Sequence, residues 1–599
     1  MINKKFTLAF TIAISIVIVL VTLAVAIPQP FYNATSVVRH WIGDTFGWYY
    51  LILVTVIVLV CFFIICNPAA KITLGDPNSK PEHSTISWLA MLFSAGMGIG
   101  LIFYGAAEPL SHYAVSSIDG AVYSREALES ALKYSFFHYG IHAWSIFAIV
   151  ALALAYFMFR KKESGLISST LKPIFGAKMD GPLGKIVDSI TIIATIAGVA
   201  TSLGYGAAQI NGGLNFLWNA PMEFWIELII IGVATVLFLV SACSGIGKGV
   251  KFLSNVNIVI AVILMIAALF VGPVVKTLNS TTESLGEYLR DFMYIGLRTG
   301  ANSEAEQEWI QQWTVLYWSW WISWAPFVGV FIARISKGRT IREFLCCVIL
   351  VPTLFSLIWF GIFGTLSTNA ADINPSIAEL PIEQMLFATF NEYPLSTVLS
   401  VVAILLVFSF FITSADSATY VLAMQAEGGK DPRNVTKIFL GLSVSAIAAG
   451  LLYAGGLDAL QNILIIIAFP FSMIIILLIA SFLKEVSYEK KQMGLTIRPK
   501  VYPEKNDPFK SYELSKEQKA QRKQEMREKV NVYISEHKSI TIVEAKDMLG
   551  VKRDTAERLL DKMVDDSLLK VEKFDNHKKY KLKKQKTTHN NKSEENLTQ

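Results

Sequence analysis

From the N-terminus to about Leu483 the chain alternates apolar runs near 20 residues long with short polar loops; beyond it Lys and Glu dominate. A bilayer core needs roughly 20 apolar residues per helix. Spans are therefore predicted near 6–27, 47–66, 86–108, 138–159, 188–213, 223–242, 253–274, 313–333, 345–365, 396–424, 435–454 and 461–483, twelve in all. Lys4 and Lys5 precede the first run as in a signal peptide, but the run is too long for a signal core, so it reads as a span. Lys and Arg gather in alternate loops, for example Arg160–Lys185 and Arg334–Arg342. The loop Leu366–Leu395 has neither, and carries Asp372, Glu379, Glu383 and Glu392 instead. The positive-inside rule then puts both termini in the cytoplasm. The two long opposite loops, Ser111–Phe137 and Val275–Gln312, hold helical patterns such as Glu283–Met293, read as amphipathic surface helices.

Composition separates two regions. The chain has 599 residues, of which 53% are hydrophobic and 17% charged; soluble domains carry about 25% charged residues. Residues 484–599 hold 28 Lys+Arg against 20 Asp+Glu. A basic tail beside a membrane suits anionic lipid, nucleic acid or simple solvation. Within it, Ser515–His537 is a polar helix pattern, and Ile540–Leu549 and Lys552–Leu569 are two short helices around Gly550. Val571–Leu582 alternates, with a turn at Asp575–Asn576. This order resembles a winged helix over 515–586, with Lys552–Leu569 in the recognition position. Five cysteines in or beside apolar runs form no metal or disulfide spacing and are expected to be buried free thiols. No nucleophile–base pair, phosphate loop or metal set appears outside the membrane segments, which argues against an enzyme.

Irregular backbone inside a membrane is tolerated only around a cavity or site. Gly96-Met97-Gly98-Ile99-Gly100 interrupts the third span. Three alternating glycines cost a helix roughly 2–3 kcal/mol against alanine. They either unwind it to present carbonyls or allow close helix packing. The eighth span carries Tyr317-Trp318-Ser319-Trp320-Trp321-Ile322-Ser323-Trp324-Ala325-Pro326-Phe327. Trp320 and Trp324 share one helix face, and Trp318 and Trp321 another. Tryptophan also marks membrane interfaces, but a quaternary ammonium has no proton to donate, so an aromatic cage suits it, each ring contributing about 0.5–2 kcal/mol. Tyr139, Trp144 and Phe147 in the fourth span are further candidate walls. His138 and His142 lie four apart, but no nearby Glu or Cys completes a metal set. In Phe410-Phe411-Ile412-Thr413-Ser414-Ala415-Asp416-Ser417, adjacent hydroxyls can ligate Na⁺ or bond back to their own helix, and Asp416 is an intramembrane acid.

Together these segments, with Ala333-Arg334-Ile335-Ser336-Lys337-Gly338-Arg339, resemble the betaine/carnitine/choline transporter family, from the first span to about Leu483. The resemblance implies an all-α membrane fold of twelve transmembrane helices. Two peripheral helices (1–85) precede a LeuT-type core of two inverted five-helix repeats (86–274 and 313–483), separated by a loop with an amphipathic helix (275–312). It implies a homotrimer and a substrate site using Trp144, Trp321 and Trp324 with Tyr139 and Phe147; Trp318, Trp320, Gly96, Met97, Gly98 and Gly100 are further candidates. Tyr139 and Phe147 stand where well-known betaine carriers have Trp and Tyr, which keeps an aromatic ring at both positions. A Na⁺ site of Thr413 and Ser414, completed around Ser94, Met97 and Phe410, is implied, hence Na⁺ symport. Choline carriers tend to have Asp where Gly100 stands, so the resemblance favours zwitterionic glycine betaine over choline.

Overall fold

The computed structural model describes residues 7–96, 98–244, 247–493, 516–574 and 577–583. The chain divides into two units, Met1–Ile497 and Arg498–Gln599.

The described residues of the first unit are mainly helical, with one isolated antiparallel bridge between Thr73 and Thr340. Its helices are α1 (Leu8–Ala26), α2 (Pro28–Cys66), α3 (Thr85–Gly96), α4 (Ile99–Leu110), α5 (Arg125–Tyr139), α6 (Ile141–Ala155) and the short α7 (Ile167–Thr170) and α8 (Lys172–Phe175). Then come α9 (Pro182–Trp218), α10 (Phe224–Ser244), α11 (Gly247–Val271), α12 (Val274–Arg290), α13 (Phe292–Leu297) and α14 (Glu304–Ile310). The unit ends with α15 (Leu316–Ile335), α16 (Ile341–Ile373), α17 (Met385–Asn391), α18 (Ser396–Ala426) and α19 (Asn434–Gln492). Ten helical segments among the described residues are long and apolar enough to cross a membrane.

That number differs from the expected twelve for two reasons. The third expected span is divided into α3 and α4, of 12 residues each, about 18 Å apiece and too short to cross alone. The last two merge in α19, whose 59 residues would reach about 90 Å if straight. The merger hides a break at Gly455–Gly456, where Gly456 adopts φ 63° and ψ −144°, a conformation that L side chains rarely adopt.

Burial sorts the helices. The most apolar stretches of the α5–α6 segment, α9 and the α14–α15 segment are each 89% buried, against 22% in α11 and 33% in α10. The latter two expose rows such as Ile229, Val233, Val236 and Val240, and Val259, Ile263, Ile266 and Phe270, which in a membrane face lipid chains. The Arg334–Arg339 turn is pinned rather than loose. Gly338 and Ile341 donate backbone N–H bonds to Leu74 and Ile72, and the Arg339 guanidinium lies 4.6 Å from the Trp88 ring centre. All five cysteines are free, as the sequence implies, but only Cys61 is buried, and Cys66 is exposed: the α2 C-terminus leaves it on the outside. The pattern read at Glu283–Met293 lies in α12, α13 and the residues between them.

The second unit contains α20 (Lys516–His537), β1 (Ile540–Thr541), α21 (Ile542–Leu549), α22 (Arg553–Asp565), β2 (Leu569–Phe574) and β3 (His577–Leu582). The antiparallel sheet has order β1-β3-β2. Thr541 and Glu544 form a capping box at the start of α21, and Gly550 ends it in the left-handed conformation. Ile534, Ile540, Ala545, Leu560, Met563 and Tyr580 form part of a core of its own. The turn expected at Asp575–Asn576 lies outside the described residues.

Candidate functional site

The site starts at the interruption between α3 and α4. Gly98 is extended, and α4 restarts at Ile99, where Leu101 donates its N–H to the Gly98 carbonyl at 3.2 Å and the N–H groups of Ile99 and Gly100 open the helix end. Of the expected residues here, Met97 and the side chain of Ser94 lie outside the described residues, and Gly96 ends α3.

Gly100 lies against Trp320 of α15. A Cβ built on Gly100 would sit 2.6 Å from the Trp320 ring, and one on Gly198 of α9 would sit 2.6 Å from the Trp324 ring. Two glycines on different helices are thus the surfaces on which two tryptophans lie. The Trp320 indole N–H donates to the Ser202 hydroxyl at 3.2 Å.

Trp321 is the centre of an aromatic corner. Tyr139 stands edge-on to it at 5.2 Å and 85°, and Phe147 at 5.5 Å and 88°. Trp320 lies parallel to it at 5.8 Å, and Trp144 meets Phe147 at 5.5 Å. The corner is held by polar bonds: Trp321 donates its indole N–H to the His138 carbonyl at 2.9 Å, and the Tyr139 hydroxyl donates to the Gly100 carbonyl at 3.1 Å. Phe360 of α16 backs Tyr139 at 4.4 Å. Trp321 is only partly buried, while Tyr139, Trp144 and Phe147 are buried.

The structure therefore brings Tyr139, Trp144, Phe147, Trp320 and Trp321 together in one chain of ring contacts. Trp324 lies one turn along α15, against Gly98, Gly198 and Phe327. Trp318 points elsewhere: its ring packs on Phe137, His138 and His142.

Thr413 in α18 is buried, and its hydroxyl donates toward its own helix, to Ser409 at 3.1 Å and Phe410 at 3.3 Å. It also accepts from the Asn257 amide of α11 at 3.4 Å, while Ser409 donates to the Asn257 carbonyl oxygen at 2.5 Å. Ser414 is partly buried beside it. Asn257 carries no sequence signal beyond being one of two asparagines, with Asn255, at the start of an apolar run.

The sequence reading also finds no carboxylate for His138. The fold corrects this: Glu108, at the end of α4, accepts from the His138 ring at 2.7 Å. A carboxylate 30 residues away cannot be paired by local spacing, although a lone Glu closing an apolar run is itself a signal. Beyond Tyr104, a cavity of about 380 Å³ is lined by Trp313 and Leu316 on one side and Arg39, Asp458 and Gln461 on another. The Tyr104 ring packs on Tyr205, Trp313, Tyr317 and Trp320, so a residue that lines the cavity also touches the corner.

A family profile described as BCCT, betaine/carnitine/choline family transporter, matches residues 8–491. The chain is similar to the glycine betaine transporter OpuD of Bacillus subtilis (strain 168), 51% identical over 474 residues, which cover 78% of this chain and 92% of that one. It is 41% identical over 476 residues to an ectoine/hydroxyectoine transporter of Virgibacillus pantothenticus, covering 78% of this chain and 94% of that one. It is 37% identical over 482 residues to the osmo-dependent choline transporter BetT2 of Acinetobacter baylyi (strain ATCC 33305 / BD413 / ADP1), covering 78% and 70%. The chain belongs to the betaine/carnitine/choline transporter family, and is a multi-pass membrane transporter rather than an enzyme. Its second unit lies beyond the matched residues.

Proposed function

We propose that this transporter imports glycine betaine by Na⁺ symport as an osmoprotectant. The observation that carries the reading is the corner at Trp321, where rings from α5, α6 and α15 meet at right angles. A trimethylammonium group can be held there by dispersion and cation–π contact alone, at about 0.5–2 kcal/mol per ring. The N–H groups of Ile99 and Gly100, which open α4, suit the carboxylate of a zwitterion. The similarity to OpuD points the same way.

In this reading the α3–α4 pair counts as one interrupted span and α19 as two, giving twelve. The spans form two inverted five-helix repeats after two peripheral helices. Both termini lie in the cytoplasm, and the assembly is a homotrimer in the inner membrane. Na⁺ binds at Thr413 and Ser414, with Phe410 and the Ser94–Met97 backbone completing the shell. A charge crossing 100 mV gains about 2.3 kcal/mol, and a tenfold gradient adds about 1.4 kcal/mol. Two Na⁺ per zwitterion then supply about 7 kcal/mol, roughly 10⁵-fold accumulation.

The experiment is uptake of labelled glycine betaine and choline, with and without Na⁺, in a strain lacking its own carriers. Na⁺-dependent betaine uptake supports the reading. Choline uptake alone overturns the betaine assignment in favour of the choline or carnitine alternative, and Na⁺-independent uptake overturns the symport.

The second unit has the helix–strand–helix–helix–hairpin order of a winged helix, and we assign it a cytoplasmic regulatory role rather than nucleic-acid binding. It carries ion pairs such as Lys578 with Glu557 and Lys581 with Glu572, contacts that salt screens and that suit sensing ionic strength. Deleting residues 500–599 should flatten the osmotic activation curve while leaving the betaine KM unchanged; an unaltered curve removes the assignment.

A further inference from the structure

Glu108 is fully buried, 0% exposed, among apolar helices. A carboxylate taken out of water costs several kcal/mol unless donors surround it. Here one carboxylate oxygen accepts from His138 Nδ1 at 2.7 Å and faces His112 Nε2 at 3.3 Å, and the other accepts the Tyr317 hydroxyl at 2.5 Å. His138 Nε2 in turn lies 2.9 Å from the Thr314 hydroxyl. His112, His138, Thr314 and Tyr317 are all buried.

Two of these residues lie where the helix widens into a π-turn, His112 in Ser111–Val115 and Thr314 in Gln311–Val315. Such turns re-aim side chains and recur at functional positions. Here both turn a polar group toward the same cluster.

The cluster connects to the aromatic corner by two separate routes. His138 receives the Trp321 indole N–H on its backbone carbonyl, and Tyr139, the next residue, stands edge-on to the Trp321 ring. Tyr317, bonded to the same carboxylate, lies on the His138 ring at 4.7 Å. Its plane is within 16° of Trp321 and 18° of Trp320. Trp321 is thereby held from its polar edge and through a stack of rings, and both holds begin at Glu108.

We propose that Glu108 is a positioning residue for the cargo site. Through His138 and Tyr317 it fixes the angle of the Trp321 corner and so sets affinity for the cargo, without touching the cargo itself. This rests on Trp321 forming the cargo site, as proposed above. A bond that only stabilised the fold would change how much protein reaches the membrane. One that fixes the corner changes KM per molecule.

The test uses the full chain in carrier-deficient cells, with Glu108→Gln and Tyr317→Phe compared at equal membrane amounts, against whichever of betaine, choline or ectoine the wild type accumulates. Tyr317→Phe keeps the ring and removes only the hydroxyl bond. We expect its KM to rise about tenfold with Vmax per molecule within twofold, and Glu108→Gln to raise KM at least as much. The change in tryptophan fluorescence on adding cargo should need correspondingly more cargo. An unchanged KM and fluorescence midpoint in Tyr317→Phe, with only the amount of protein reduced, overturns the proposal. If Glu108→Gln does not reach the membrane, Tyr317→Phe decides. No saturable uptake by the wild type would defeat the transport assignment instead, a result distinct from an unchanged KM in the variant.

Discussion

The rings around Trp321 and the hydroxyl of Thr413 were both expected to hold a cation, and the fold treats them differently. Around Trp321, three polar atoms of the rings already have partners: the indole of Trp321 bonds to His138, the hydroxyl of Tyr139 to Gly100 and the indole of Trp320 to Ser202. The π faces are thereby left for apolar or cationic contact. At Thr413 the hydroxyl already bonds within α18 and to Asn257. A ring surface can be built before its ligand arrives, because it needs no donor or acceptor in the meantime. A buried hydroxyl left without a partner costs free energy, so most are bonded.

The largest effect is expected at Trp321. Trp321→Ala removes the shared wall of the corner, and at about 2 kcal/mol for a desolvated ring the betaine KM should rise about 30-fold. Trp318→Phe, on a ring that faces His142, should leave KM within twofold. Equal effects of the two substitutions in an uptake assay would show that the corner is not the cargo site.

Gly100 comes next, and it separates two explanations. The resemblance reads this glycine as the absence of a charge, suited to a zwitterion; the structure reads it as the absence of a Cβ, because Trp320 occupies that space. Overpacking costs typically 1–3 kcal/mol, so Gly100→Ala alone should lower betaine uptake about tenfold. If Gly100→Ala is silent and Gly100→Asp gains choline uptake, charge decides and packing does not.

Much of this arrangement was legible. The chain's apolar runs place α1, expected over 6–27 and found over Leu8–Ala26, and α18, expected over 396–424 and found over Ser396–Ala426. The glycine run marks the break before Ile99 because glycines at that density oppose a helix. Which tryptophan faces which neighbour was not legible. Helical spacing pairs Trp318 with Trp321, yet in the fold one lies against His142 and the other against Tyr139 and Phe147, because α15 is enclosed and offers several sides to different helices. Glu108 escaped for a related reason: apart from His112, four residues on, its partners His138 and Tyr317 come from α5 and α15, and only the packed structure brings them to it.

At the hydroxyl site the expected effects are smaller. Thr413→Ala removes one oxygen of a several-oxygen shell and should raise the Na⁺ concentration for half-maximal uptake about fivefold, with the betaine KM at saturating Na⁺ nearly unchanged. Full activity at low Na⁺ in this variant would place the coupling ion elsewhere.

The smallest effect, and the most informative about why the two regions differ, is expected at Asn257. Its amide N–H and a sodium ion compete for the same Thr413 oxygen if that oxygen is a ligand. A neutral hydrogen bond contributes about 0.5–1.5 kcal/mol net, and the 3.4 Å separation puts this one at the weak end. Asn257→Ala should then lower the half-saturating Na⁺ concentration about twofold, measured as betaine uptake against Na⁺. A rise would mean that the Asn257 carbonyl oxygen, now engaged by Ser409, is itself turned to the ion. In that case Ser409 rather than Ser414 is the hydroxyl to substitute next.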